Sequence, residues 1–351
     1  MVVKIFLFLF IFSSLWSIDK KLLEVKKTNL FNLHTFSFFK NSELETNSVK
    51  GKTTTGVQLF PYLYINKEKN IFMTLGYFGL KYSSVENFTN SSIFFSVEIL
   101  PKDNFSILLG SFFETTDFIN PLYSDENLLT QRKKEGIKLS LNSKESKVSL
   151  WIDWRKFIFD NSPFQEEFTV GFSIDKKREK KLSFPLFLLI NHKGGEIDAS
   201  DSPVRTSLNP VVGISIPLGK KIEWETDFLG YLDDCKESNI PFKQGGAFYS
   251  VFKVKLNNTT FDIFSFFADR YYSEFGDPLF WTVSKKEEKY KTQRRRNFGV
   301  NFKFQEQLIN DLVYSFELET NYDTIQSRLN YTYALFIKYN LDSDRGIKWK
   351  K

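Results

Sequence analysis

From end to end this chain alternates apolar and polar residues with a period of two, and no window sets apolar residues three and four apart as a helix would. In the clearest window Val148, Leu150, Ile152 and Trp154 fall on one side and Ser149, Asp153 and Arg155 on the other, with Trp151 interrupting the polar side. In the last window Leu329, Tyr331, Tyr333, Leu335, Ile337, Tyr339 and Leu341 share a face. Successive side chains of a strand point to opposite sides of a sheet, so each window describes a strand with one apolar and one polar surface. Sixteen windows fit: 30–39, 56–65, 71–82, 92–100, 104–114, 136–143, 147–159, 167–175, 181–190, 210–218, 221–231, 246–256, 260–269, 297–304, 311–320 and 328–341. The expected fold is all-β, a transmembrane antiparallel β-barrel of about 16 strands with its apolar face in lipid.

The connections alternate in length. Long ones at 40–55, 83–91, 115–135, 160–166, 191–209, 232–245, 270–296 and 321–327 are separated by short ones at 66–70, 101–103, 144–146, 176–180, 219–220, 257–259 and 305–310. Bacterial barrels have this rhythm, with short periplasmic turns and longer extracellular loops, and its phase puts both ends of the barrel in the periplasm. A secreted soluble β-sandwich, the alternative fold, has no cause to follow it.

Composition agrees. Aromatic residues make up 17% of the chain, including 40 Phe and 15 Tyr, so many rings must be hidden or embedded in lipid. The mean hydropathy of −0.29 resembles a soluble protein's only because the two faces cancel in any average. The single Cys235 excludes an internal disulfide, and 48 basic against 42 acidic residues is too balanced to imply nucleic acid. Near the N-terminus Lys4 precedes an apolar run from Ile5 to Phe12 and then Ser13, Ser14 and Ser17, the order of a signal peptide. The expected organisation is a signal peptide over 1–17, a periplasmic segment over 18–29, the barrel over 30–341 and a polar periplasmic tail over 342–351.

Strand number, loop phase and N-terminal segment together resemble the bacterial general-porin class of outer-membrane β-barrels over essentially the whole mature chain. The Phe-, Lys- and Asn-rich composition is similar to that of a spirochaetal outer-membrane protein. Barrels of this class usually end on an aromatic residue read by the insertion machinery, whereas here the last strand stops near Leu341 and a polar tail follows. The resemblance implies an integral outer-membrane location and a water-filled channel for passive diffusion of small hydrophilic solutes. Its implied partners are outer-membrane lipid, the barrel-insertion machinery and a second copy of the chain. A closed barrel mounting adhesive loops is the alternative.

The polar face of a barrel this wide lines an aqueous lumen. The pore-lining candidates are Glu98, Lys138, Asp153, Arg155, Glu223, Glu225, Asp227, Lys253, Lys255, Lys303, Glu317, Glu319, Arg328 and Lys338. Glu223, Glu225 and Asp227 precede the strand of Lys253 and Lys255, which gives either a transverse field across the pore or cross-strand ion pairs that solvate its wall. In the general porins the third extracellular loop folds inward. By that resemblance Asp117, Asp125, Glu126, Arg132, Lys133 and Lys134 are constriction candidates.

An enzyme needs a nucleophile or a paired acid and base. The chain has only His34 and His192, and His192 begins a polar loop onto which no serine motif or second histidine converges. It reads as a surface residue, and the chain is expected not to be an enzyme. Glu196, Asp198 and Asp201 lack the spacing of a calcium loop, and neither metal nor cofactor is expected.

Overall fold

The computed structural model describes residues 29–342 apart from 46–49, 69, 114–117, 144–145, 177–181, 196–199, 201, 236–239, 285–292 and 310. The expected signal peptide, the segment up to residue 28 and the tail beyond residue 342 lie outside the described residues. The chain forms β1 (Asn29–Leu44), β2 (Lys52–Glu68), β3 (Ile71–Tyr82), β4 (Asn90–Lys102), β5 (Phe105–Phe113), β6 (Lys133–Asn142), β7 (Ser146–Lys156) and β8 (Glu167–Lys176). It continues through β9 (Leu186–Lys193), β10 (Arg205–Pro217), β11 (Ile222–Asp233), β12 (Gln244–Leu256), β13 (Thr259–Asp269), β14 (Arg294–Ile309), β15 (Leu312–Asp323) and β16 (Arg328–Asp342). Each strand pairs antiparallel with its neighbours in sequence, and β16 pairs with β1 to close the barrel, so no strand edge is left open.

The alternation sorts the side chains as expected. Leu75, Ile93, Leu150, Trp154, Val212, Trp224, Phe228, Phe298, Tyr331 and Leu335 are exposed on the outside, while Asn32, Ser149, Thr169, Asn209 and Asn321 are buried within. A belt of exposed apolar side chains around the whole circumference is untenable in water and matches the hydrocarbon of a bilayer. Several strands run past their periodic windows: β1 continues to Leu44 and β2 starts at Lys52, because the backbone ladder persists into polar sequence. β9 starts at Leu186, later than its window, since Pro185 has no N–H for the ladder. Among the described residues between β8 and β9, an isolated bridge joins Ser183 to Ser215.

The lumen is not lined by polar residues alone. Two long connections, in their described residues 118–132 between β5 and β6 and 270–284 between β13 and β14, fold inward and pack on each other. Tyr271 Oη donates to the Pro121 carbonyl at 3.0 Å, Ser273 Oγ to the Leu122 carbonyl at 2.7 Å, and Ser124 N to the Phe275 carbonyl at 2.7 Å. The wall holds them through Gln58, which donates to the Leu129 carbonyl at 2.7 Å, and Asn209, which donates to the Tyr272 carbonyl at 2.8 Å. Phe118, Leu122, Tyr123, Tyr271, Phe275, Phe280 and Trp281 join Trp151, Phe187, Tyr231 and Phe266 of the wall in one apolar core. A short helix, α1 (Glu126–Thr130), lies in the first of these connections. Space for this core comes from large and small residues facing each other across strands, as where the Trp151 ring lies over Gly171 and the Phe264 ring over Gly299.

Candidate functional site

The structure places the lumen residues in two groups. In the half of the barrel away from the long loops, the charges are paired. Lys253 bonds Glu225, Lys255 lies 3.6 Å from Glu223, and Lys303 lies 2.5 Å from Glu317. Each acid of these pairs meets a base, the arrangement of a solvated wall rather than of opposed ladders. Asp227 is fully buried in the wall, fitted where Gly213 lacks a Cβ. Glu98 and Glu319 are half-buried on inner positions, and the Lys338 ammonium sits 5.4 Å from the centre of the Phe36 ring.

Nearer the long loops, several candidates depart from the expected roles. Lys134 and Asp153 lie 3.5 Å apart, and the Lys134 ammonium is 4.3 Å from the Trp151 ring. Lys138 is buried over Phe112 at 5.7 Å. Lys134 lies 5.1 Å from the Tyr123 ring of the first inward loop, and all three charged residues are buried, so they do not line an open pore. Arg155 reaches Gln131 and the Phe275 ring, and so braces both loops. Lys133 is no constriction residue: it bonds the Ile93 carbonyl and Glu135 along the outer wall, one residue out of phase with inward Lys134. Arg328 sits on the rim, 3.8 Å from Glu45. Asp117 lies outside the described residues.

Asp125, Glu126 and Arg132 do enter the barrel. Glu126 is ion-paired with Lys52, and Arg132 stacks on Phe113 at 4.8 Å. The Asp125 carboxyl is water-accessible yet ringed by the wall. That enclosure, with Glu317 adding to it and Lys303 and Lys40 opposing, holds its pKa above the usual carboxylate range. Lys40, on β1, belongs to this group although sequence periodicity did not single it out.

A second site lies on the outside. Leu186, Leu188, Ile190 and His192 occupy the outward phase of β9, which puts a histidine on the apolar face close to the long-loop rim. Its register neighbours are Phe168 on β8 and Thr206 on β10. The His192 ring stacks on Phe168 with centroids 4.7 Å apart, and its Nδ1 lies 3.0 Å from Thr206 Oγ1. Thr206 N donates to Asp234 Oδ1 at 2.6 Å. On the other flank Trp154, 6.1 Å from Phe168, donates its Nε1–H to Glu166 at 2.9 Å. The expectation of an isolated surface histidine in a polar loop is corrected: His192 ends a strand and sits in a built row of rings and hydroxyl. The overlooked signal is a titratable residue in the apolar phase. His34, the other histidine, lies on an inner position 3.2 Å from the Tyr62 hydroxyl.

A model of the lipid A 3'-O-deacylase-type family matches residues 23–344. The chain belongs to this family. Membership overturns the expectation of a non-enzymatic chain, since the family is named for a deacylase. No curated protein matches the sequence. Among solved structures, this deacylase-type barrel is similar to a loop-deletion form of OmpT, an outer-membrane protein of Vibrio cholerae, at 10% identity and TM-score 0.56, over 90% of this chain and 99% of that one. It is also similar to an anion-selective porin of Comamonas acidovorans, at 8% identity and TM-score 0.53 over 90% and 100%. OprD of Pseudomonas aeruginosa aligns at 9% identity and TM-score 0.51 over 91% and 97%. At such identities the likeness establishes the fold, that of outer-membrane barrels.

Proposed function

We propose that this barrel hydrolyses acyl esters of a glycolipid in the outer leaflet of the outer membrane. The observation that carries this reading is the position of His192, outward-facing at the long-loop rim and held by Phe168 and Thr206. A substrate embedded in the outer leaflet meets this face of the protein, not the lumen. With Nδ1–H donating to Thr206 Oγ1, the Nε2 lone pair of His192 is left to take a proton from water as the water oxygen attacks the ester carbonyl. The C–O bond to the sugar alcohol then breaks, and the proton returns to the leaving oxygen, giving a fatty acid and an alcohol. General-base assistance of this kind contributes about 10²–10⁴-fold in rate. The test is release of fatty acid, read by mass spectrometry, from vesicles that contain lipid A and the purified protein. Release by the wild type and its loss in His192→Gln support the reading; no release, or equal release by the variant, overturns it.

A second reading, passive passage of small hydrophilic solutes, is supported by the charged half of the lumen, where Lys255 and Lys303 are exposed. Planar-bilayer recordings test it. Stepwise conductance supports a solute path past the inward loops, and a silent bilayer overturns it.

A further inference from the structure

The segment that follows β7 exposes a group of large apolar side chains near the long-loop rim. At the end of β7 the register slips, so that Trp154 opposes Phe168 while Lys156 opposes Glu167. Arg155 and Lys156 both reach Glu167, at 3.9 and 2.6 Å. The alternation therefore leaves this bulge shifted by one residue, with Phe157 exposed, Ile158 buried and Phe159 exposed. Phe157 and Phe159 are 63% and 74% accessible and Phe164 44%. The first two rings meet edge to face, with centroids 5.4 Å apart.

This segment is tied down. Phe159 N donates to Ser162 Oγ at 2.9 Å and Ser162 N to the Phe159 carbonyl at 3.0 Å, around a turn in which Asn161 takes φ of 64°. Gln165 donates to the carbonyls of Ser202 and Pro203 at 2.8 and 3.2 Å, and Gly194 N donates to the Glu166 carbonyl at 3.0 Å. Held in water, three exposed phenylalanines in one tied-down segment would be a lasting cost. They begin three residues beyond Trp154, the last outward ring of β7, which lies 6.1 Å from Phe168, the ring stacked on His192, so the chain runs from the lipid-facing wall straight into this segment.

We propose that Phe157, Phe159 and Phe164 form a wedge seated among the upper acyl chains of the outer leaflet, with the exposed Asp160 and Asn161 of the turn remaining at headgroup level. The occupant of this surface is lipid acyl chain. The wedge displaces neighbouring chains beside the His192 row and brings an ester at the headgroup boundary level with the imidazole. That consequence rests on the hydrolase reading; the insertion itself does not.

The experiment uses the full-length protein in vesicles, carrying Phe159→Cys or, as a control, Asp160→Cys, each labelled with an environment-sensitive dye. The native Cys235 is buried. Lipids brominated near the headgroup end of the acyl chain should quench the dye at 159 at least about twofold more than at 160, as expected of an interfacial apolar segment. Equal quenching at the two positions, or a dye at 159 reached by aqueous iodide, overturns the wedge. So does a dye at 159 shielded from both quenchers, which would place a second copy of the chain over it. In a second arm, replacing all three phenylalanines by serine should slow fatty-acid release from vesicle lipid at least about tenfold, the loss expected from the apolar contact of even one of them. Hydrolysis of a detergent-dispersed short-chain ester should be unchanged, and a parallel loss there overturns the positioning role. If the wild type releases no fatty acid, the hydrolase reading falls and the wedge is judged by the fluorescence arm alone.

Discussion

One guanidinium latches the inward connection between β13 and β14, and removing it should open the barrel. Arg295 and Asp323 are each 1% accessible, with Nη1 2.5 Å from Oδ2, and Arg295 Nε donates to the Trp281 carbonyl at 3.0 Å. The side chain thus joins the end of β15 to the connection between β13 and β14. Removing one partner of a buried ion pair costs about 3–5 kcal/mol, because the other charge stays buried. In Arg295→Met the apolar volume is largely kept, and Asp323 Oδ1 still accepts from Ile325 N and Gln326 N at 2.9 and 3.1 Å. The lower end, about 3 kcal/mol, therefore applies. If the loss falls on the inward state of the loop, the population of displaced loop rises by roughly 150-fold. Hydrogen exchange read by mass spectrometry should show peptides within 270–284 exchanging about 100-fold faster with the wall strands unchanged, since only the latch is released. Bilayer conductance should rise in parallel. Unaltered exchange in 270–284 would refute the latch, and acceleration spread evenly over all strands would show the pair to be a global stabiliser instead.

Three further outcomes follow from the same geometry. Gly171→Val drives a side chain into the buried Trp151 ring and should cost about 1–3 kcal/mol, seen as a lower temperature for loss of heat-modifiable migration on gels; an unchanged transition would mean that the ring has room to move. Enclosure raises the Asp125 pKa, so the folded arrangement favours the neutral acid. Its contribution is complete below the ordinary aspartate range and is lost as pH rises through the raised pKa. Thermal midpoints should fall over that window and flatten in Asp125→Asn, and an identical slope in the variant would exclude Asp125 as the cause. Lys253→Gln leaves Glu225 without its cation, so in any conducting bilayer the reversal potential should move toward cation preference, more strongly at low salt; no movement would mean that this pair faces no ion path.

The closed barrel was legible because period-two alternation is enforced residue by residue: one face meets lipid, and a slip of one position would put Trp154 or Trp224 on the wrong side. What filled the lumen was not legible. Tyr271, Phe275, Phe280 and Trp281 lie in a connection whose pattern looks irregular, and their burial depends on backbone carbonyls met by Arg295 and Asn297 of the strand that follows and by Asn209 from a strand distant in sequence. Phase puts Glu223 and Lys255 on the inner side, where they pair, whereas Lys133, a constriction candidate by the third-loop resemblance alone, follows the outer wall at the loop-proximal end of β6. Whether a lumen charge faces water or a ring was likewise hidden, because Lys134 is covered by Tyr123 of an inward loop and Lys138 lies over Phe112 of the neighbouring wall strand.

The same alternation explains why the His192 row escaped notice. Reading function from a barrel strand by polarity credits every chemical residue to the inner phase and treats the outer phase as lipid contact alone. For a protein whose substrate is dissolved in the bilayer that assumption inverts the problem, since the outer phase is then where the substrate arrives. On β9 the outward positions are Leu186, Leu188, Ile190 and then His192, three residues that lipid demands and one that it does not. An imidazole in that phase is costly unless it lies at the interface and is held by neighbours. Here Phe168 covers one side of the ring, and the Thr206 hydroxyl, on the neighbouring strand, meets Nδ1. Under the proposed hydrolysis, a break in the apolar phase within the last residues of a strand, matched by a hydroxyl at the register position next to it, is the pointer to membrane-side chemistry that a lumen-directed reading passes over.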